Sequence, residues 1–199
     1  MDVRKTDVAW MGRYVITAFI ACVHYRTYGA LRLLRRLSGV AAVAEKDVAD
    51  RAGGSMFQQV LIICVGNVCR SPIAEFLLRE RLRDRGIQVD SAGLGAMVGY
   101  PPEGHAAALL KEHGIDASSH RARQLELSML READLVLAME RRHVHAATRL
   151  APEASGKVFL LRKWLDARDV PDPHLQSRPF FERVYEQIDR GVGSWLRYL

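Results

Sequence analysis

Residues 60–65 (Val-Leu-Ile-Ile-Cys-Val) are apolar without interruption and rich in β-branched side chains. Such a run predicts a strand buried on both faces. Beyond it the period changes. Ile73, Phe76, Leu77 and Leu82 recur at helical spacing behind Pro72, whose missing N–H suits the first helical position. A helix is therefore predicted over 72–86, closed by Gly86, with a short second strand over 87–90. A helix over 102–113 ends at Gly114, and a shorter one covers 126–131. Residues 134–138 read as a third buried strand, 141–150 as a helix and 157–161 as the fourth strand. The last helix, 179–199, turns Phe181, Val184, Tyr185, Ile188, Val192 and Leu196 inward. Strands alternating with helices predict an α/β fold: a doubly wound, four-stranded parallel sheet with flanking helices. In such sheets ligands bind beyond the carboxyl ends of the strands, which directs attention to the loop after the first one.

Residues 1–55 have another texture. Residues 14–23 are apolar except for Thr17, and Leu31, Leu33, Leu34 and Leu37 then interleave with Arg32, Arg35 and Arg36. A membrane-spanning helix needs about 20 apolar residues, so the run is too short unless 8–12 joins it across Arg13. Phe19-Ile20-Ala21-Cys22 faintly resembles a lipoprotein cleavage box, although the basic residues lie far from the run. A basic amphipathic segment on an anionic membrane surface is a further reading. The leading expectation is an over-extended start, with the domain beginning at Met56 before Phe57-Gln58-Gln59-Val60. The chain is thus divided into a leader, 1–55, and one domain, 56–199. Any membrane contact is expected through 1–55 alone, with the domain cytoplasmic.

Charge supports this division. The chain carries 29 Lys+Arg and 23 Asp+Glu, a net +6. Nine of those bases and five of those acids lie in 1–55, which leaves a net of only +2 for 56–199. Bulk basicity therefore does not argue for a nucleic-acid partner, and none is expected. Arg79, Arg81, Arg83 and Arg85 suggest a basic strip, but Glu80 and Asp84 interleave with them, as on a solvated helix face. Three cysteines are too few for a disulfide scaffold and point to thiol chemistry.

The loop after the first strand reads Cys64-Val65-Gly66-Asn67-Val68-Cys69-Arg70-Ser71-Pro72. A loop curling between a strand end and a helix N-terminus aims successive backbone N–H groups at one point, a nest for a tetrahedral anion. Gly66 and Asn67 are residue types that tolerate the positive φ such a turn needs. Arg70 can close the cradle with two donors to phosphate oxygens, a geometry lysine cannot offer. The same positive surroundings favour the thiolate of Cys64. Ser71 can donate to that sulfur. A thiolate inside a phosphate cradle is a nucleophile aimed at phosphorus.

The string Cys64 to Pro72 resembles the active-site motif of the low-molecular-weight protein tyrosine phosphatases. The likeness continues through Asp90-Ser91-Ala92-Gly93-Leu94-Gly95, His120-Arg121-Ala122-Arg123-Gln124-Leu125, Ala133-Asp134-Leu135-Val136-Leu137-Ala138-Met139-Glu140 with His143, and Val170-Pro171-Asp172-Pro173, in the order and spacing of the bacterial branch. It covers residues 57–199. The resemblance implies Cys64 as nucleophile, Arg70 as phosphate clamp and Asp172 as general acid and base. It places the substrate's phosphoryl group against Val65, Gly66, Asn67, Val68, Cys69 and Ser71, with Asn67 bracing the loop. Cys69 would serve as a redox partner able to form a reversible disulfide with Cys64. The implied partner is a phosphotyrosine-bearing protein, a bacterial tyrosine kinase in exopolysaccharide or capsule control. No cofactor or metal is implied, since a thiolate and an arginine carry the chemistry.

Departures from the family pattern and rival readings bear on this assignment. His174 stands where the family usually has an aromatic wall residue, and Tyr100 or the Phe180/Phe181 pair are candidates to compensate. Val68 is aliphatic, as in tyrosine-directed members, whereas phosphoarginine-directed relatives carry Thr. Arsenate reduction on the same fold, in its thioredoxin-coupled form, needs further cysteines, and none follows Cys69. A non-catalytic phosphate-sensing module would typically have lost the nucleophile or the acid. Asp166 and Asp169 compete with Asp172 for the acid's role, but only Asp172 is followed by Pro. His143 and His145, two apart on a helix, should face different ways, and His120 is expected to be structural.

Overall fold

The computed structural model describes residues 57–199. The expectations for the leader (its start, its membrane contact and the boundary at Met56) lie outside the described residues. Four strands, β1 (Gln59–Cys64), β2 (Gln88–Gly93), β3 (Leu135–Ala138) and β4 (Val158–Leu160), form one parallel sheet in the order β2-β1-β3-β4. The register pairs Val60 with Val89 on one side and with Leu135 on the other. Among the described residues five α-helices flank the sheet: α1 (Arg70–Arg81), α2 (Gly104–Glu112), α3 (Leu127–Glu132), α4 (Arg141–Leu150) and α5 (Arg178–Trp195).

The sheet is covered on both faces because alternate residues of β1 face opposite ways. Val60, Ile62 and Cys64 join one apolar cluster with Ile73, Leu77, Leu110 and Phe181 from α1, α2 and α5. Leu61 and Ile63 join the other, with Leu130 and Ala147 from α3 and α4. From β1 the chain winds first to β2 and then to β3 on the opposite side. The carboxyl end of β1 is thus a topological switch point, where neighbouring connections leave in opposite directions and open a crevice. No helix among the described residues is long and apolar enough to cross a membrane.

Several boundaries differ from the sequence reading. β1 ends at Cys64, and Val65 is already 36% exposed in the loop. β2 runs on to Gly93, because Ser91, Ala92 and Gly93 pair in register with Ile62, Ile63 and Cys64 although they form no apolar run. Gly93 has a steric role there: a Cβ on it would lie 2.4 Å from the Val65 carbonyl oxygen. α1 begins at Arg70, so Pro72 is its third residue, still inside the first turn where an N–H has no intrahelical acceptor. The strip of arginines turns to the protein's own groups. Arg79 pairs with Glu75, Arg81 with Asp189 and Arg83 with Glu80, while Arg85 donates to the Leu196 carbonyl.

Candidate active site

Cys64 ends β1 at the switch point, 2% exposed, with its sulfur held by the loop that follows. Its Sγ lies 2.9 Å from Ser71 Oγ and accepts from the backbone N–H of Asn67 at 3.3 Å. The direction of the first contact follows from its neighbours. Asn67 Nδ2 has two hydrogens and donates both, to Ser71 Oγ at 2.9 Å and to Ser91 Oγ at 2.7 Å. Ser71 thus accepts from Asn67, which leaves its own proton for the sulfur. Ser91 passes its proton to Glu75 at 2.5 Å. The sulfur is thus flanked by two donors, a hydroxyl and a backbone N–H.

Asn67 holds this arrangement. It is fully buried, has φ 56°, takes the backbone N–H of Arg123 on Oδ1 at 2.9 Å, and offers its carbonyl to His120 Nε2 at 2.8 Å. Only Asn67 in the loop has the positive φ anticipated for both Gly66 and Asn67; Gly66 keeps an ordinary φ. Its asparagine amide tolerates that backbone state and braces the turn at once. Asn67→Ala should destabilise the domain by about 3 kcal/mol, from strain and from buried partners left unpaired. Urea denaturation followed by circular dichroism measures it.

Arg70, in the first turn of α1, is 1% exposed. Its NH1 donates to Glu140 Oε1 at 2.5 Å and to the Val170 carbonyl at 3.0 Å, and its NH2 to Asp172 Oδ2 at 2.6 Å. Asp172 arrives on the loop after β4. Val170 anchors that loop by donating its N–H to the Met139 carbonyl at 2.8 Å, at the end of β3. The His174 N–H donates to the other Asp172 oxygen at 3.2 Å. The rival aspartates are engaged elsewhere: Asp169 accepts from the Arg141 N–H that opens α4, and Asp166 pairs with Arg162.

These groups converge on a cavity of about 210 Å³ lined by Cys64, Val65, Gly66, Val68, Cys69, Arg70, Gly95, Met97, Asp172 and His174. Asn67 and Ser71, expected to touch the phosphoryl group, instead stand behind the loop, fully buried, and act on the sulfur. A model of the low molecular weight phosphotyrosine protein phosphatase family matches residues 59–199. The chain belongs to that family. Among curated proteins, the low molecular weight protein-tyrosine-phosphatase Etp of Escherichia coli K12 is 41% identical over 143 residues, 72% of this chain and 95% of Etp. The solved structure of Vibrio vulnificus Wzb in complex with benzylphosphonate is 37% identical, with a TM-score of 0.68 over 72% of this chain and 99% of Wzb. The YwlE arginine phosphatase from Geobacillus stearothermophilus is 33% identical, with a TM-score of 0.65 over 69% of this chain and 89% of YwlE.

Within this phosphatase domain the slot walls are Met97 and His174. The aromatic candidates do not line it. Phe181 is 1% exposed with its ring 5.2 Å from that of His105, and Tyr100 is 58% exposed outside the slot. Met97 escaped the sequence reading because an isolated methionine in a loop has no pattern; the Met97 N–H donates to the Gly66 carbonyl at 3.0 Å, which ties it to the slot. Glu140 was legible as part of a motif but not as the carboxylate that grips Arg70. Burial alone would raise its carboxyl, but hydrogen bonds from Arg142 and Arg70 outweigh that and hold it below the ordinary range. Burial, reinforced by the nearby Cys64, pushes the Cys69 thiol up to about 12, so it stays protonated at neutral pH. His120 is buried in the bracing network, and His143 is buried while His145 is exposed on the other side of α4.

Proposed function

We propose that this protein-tyrosine-phosphatase hydrolyses phosphotyrosine in proteins through a cysteinyl-phosphate, with Cys64 as nucleophile, Arg70 as clamp and Asp172 as acid and base. The observation that carries this is the sulfur of Cys64, flanked by two donors at the floor of a slot on which Arg70 and Asp172 both converge. The Cys64 thiolate attacks phosphorus, the bond from phosphorus to the tyrosine oxygen breaks, and Asp172 gives its proton to the departing phenolate. Arg70 and the loop N–H groups neutralise charge on the equatorial oxygens. Asp172 then takes a proton from water as it attacks, the sulfur–phosphorus bond breaks, and inorganic phosphate leaves. No cofactor enters this sequence.

Val68 gives the slot an aliphatic face, which supports an aryl phosphate over phosphoarginine. The Wzb structure with benzylphosphonate, an arylmethyl phosphonate, supports the same substrate class. The partner in this reading is a bacterial tyrosine kinase of exopolysaccharide or capsule control, whose autophosphorylation the enzyme reverses in the cytoplasm. Cys69, beside Cys64 in the loop, is the resolving thiol when Cys64 is oxidised. Phosphate release from a phosphotyrosine peptide, a phosphoarginine peptide and, for reduction, arsenate with thioredoxin tests the assignment. The tyrosine peptide should be turned over at least about 100-fold faster than the arginine one, a discrimination expected when the slot must fit the leaving group. Faster phosphoarginine hydrolysis or arsenate reduction would overturn it.

A further inference from the structure

His143 has no part in the chemistry above, yet it lies in the first turn of α4, 1% exposed, beside the carboxylate that grips Arg70. A polar side chain buried this deeply normally has its hydrogen bonds made. Here neither Nδ1 nor Nε2 makes one. Nε2 stands 3.3 Å from Glu140 Oε1, outside hydrogen-bond geometry but facing the oxygen that accepts from Arg70 NH1.

The Glu140 carboxylate is the hub of this corner. Oε1 accepts from Arg70 at 2.5 Å and from Arg142 NH2 at 2.9 Å, and Oε2 pairs with Arg142 Nε at 2.7 Å. The Arg142 side chain is 66% exposed, so solvent screens its hold. His143 meets the carboxylate from the buried side. The charged groups acting on it are Glu140, Arg70, Arg142 and Asp172. Burial drives its imidazole down to about 4 against the pull of Glu140, with Arg70 and Arg142 adding to the lowering. At neutral pH the ring is therefore uncharged and has a single N–H to give. An imidazolium would compete with Arg70 for the carboxylate; a neutral ring only steadies it.

Phosphate binding makes that steadying matter. Both NH1 hydrogens of Arg70 are used by Glu140 and the Val170 carbonyl, whereas NH2 is engaged with Asp172. Of the five guanidinium hydrogens, Nε–H and the second on NH2 remain for phosphoryl oxygens, and NH2 turns fully to them only by giving up Asp172 while NH1 stays fixed. The terminal torsion of a glutamate is broad, so a carboxylate held otherwise only by the solvent-screened Arg142 would follow the guanidinium. We propose that His143 is a positioning residue for the phosphate clamp: its neutral ring, protonated on Nε2, closes onto Glu140 Oε1 and holds the anchor of Arg70 while NH2 passes from Asp172 to the phosphoryl group. This deepens the phosphatase reading and rests on it.

The test is inorganic phosphate affinity, read by ³¹P line-broadening and by competitive inhibition, on the full chain and its His143→Leu, His143→Gln and His143→Asn variants. Glutamine places an amide N–H near the Nε2 position, asparagine near Nδ1, and leucine offers none. Leucine and asparagine should each weaken phosphate binding about tenfold, the worth of one hydrogen bond to a charged group. Glutamine should recover most of it. Phosphate affinity equal to wild type in His143→Leu, or the same loss in the asparagine and glutamine variants, overturns the proposal; the second comparison remains decisive if the leucine variant does not fold. Failure of the phosphatase reading is separate, since it would appear in the unaltered protein as absence of turnover.

Discussion

Cys64→Ser should lower kcat/KM for an aryl phosphate by roughly four orders of magnitude while leaving inorganic phosphate bound within a few-fold of the unaltered protein. The two expectations separate because nucleophile and cradle are built from different atoms. The sulfur receives the Ser71 hydroxyl and the Asn67 N–H. A serine oxygen in the same place meets the same donors but remains a hydroxyl near neutral pH, with no base beside it to remove the proton. The anion site depends instead on Arg70, whose anchors are Glu140 and the Val170 carbonyl, and on loop N–H groups fixed by Asn67. None of these needs the sulfur. Acid-quenched intact-mass measurements should find a phosphoenzyme with the unaltered chain and none with the variant. Cys69→Ser is the comparison: its buried, protonated thiol lines the slot and takes no part in the attack on phosphorus, so turnover should stay within a few-fold. Undiminished turnover in Cys64→Ser would remove the nucleophile from the mechanism.

How much of this was readable beforehand depended on whether a residue's role was local. The unbroken run of β1 and the helical spacing in α1 and α5 are local patterns, and they placed the sheet and the loop that starts the chemistry. The Asp-Pro pair marked Asp172, and the structure brings it to Arg70 across 102 positions of sequence. The losses were long-range. The carboxyl-terminal half of β2 reads as polar because Ser91 faces Asn67 and Glu75, a role that exists only once three separate segments meet. Glu140 and His143 fall at the start of a helix, where an acid and a histidine have ordinary local uses; their relation to Arg70 spans 70 residues or more. Asn67 and Ser71 were read both as lining the phosphoryl group and as bracing the loop and its sulfur, and the structure places their side chains in the second of these positions. Residue type alone does not say whether a side chain faces the anion or the sulfur. Net charge did not mislead, because acids interleave with the arginines, but the partners of Arg79 and Arg81 on α1, β2 and α5 were again beyond local reading.

Asp172→Asn should divide substrates by their leaving groups. For esters of ordinary phenols, kcat should fall by roughly 10²–10³, the usual worth of a positioned general acid. For a nitrophenyl phosphate, whose anion leaves without help, the fall should be much smaller. The same substitution removes the charged competitor for Arg70 NH2, now bound to Asp172 Oδ2 at 2.6 Å. A neutral amide oxygen accepts more weakly than a carboxylate, so inorganic phosphate should bind tighter, by about threefold. Slower turnover together with stronger product binding is a pattern that general damage to the loop does not produce, because misplacing the loop would loosen both. Asp169→Asn is the matched control. Its carboxylate accepts from the Arg141 N–H at the start of α4, so any loss should be independent of the leaving group. An equal fall across all leaving groups in Asp172→Asn would make Asp172 a tether for Arg70 rather than the acid. The proton would then have to come from another group at the slot mouth, where His174 is the side chain able to supply one.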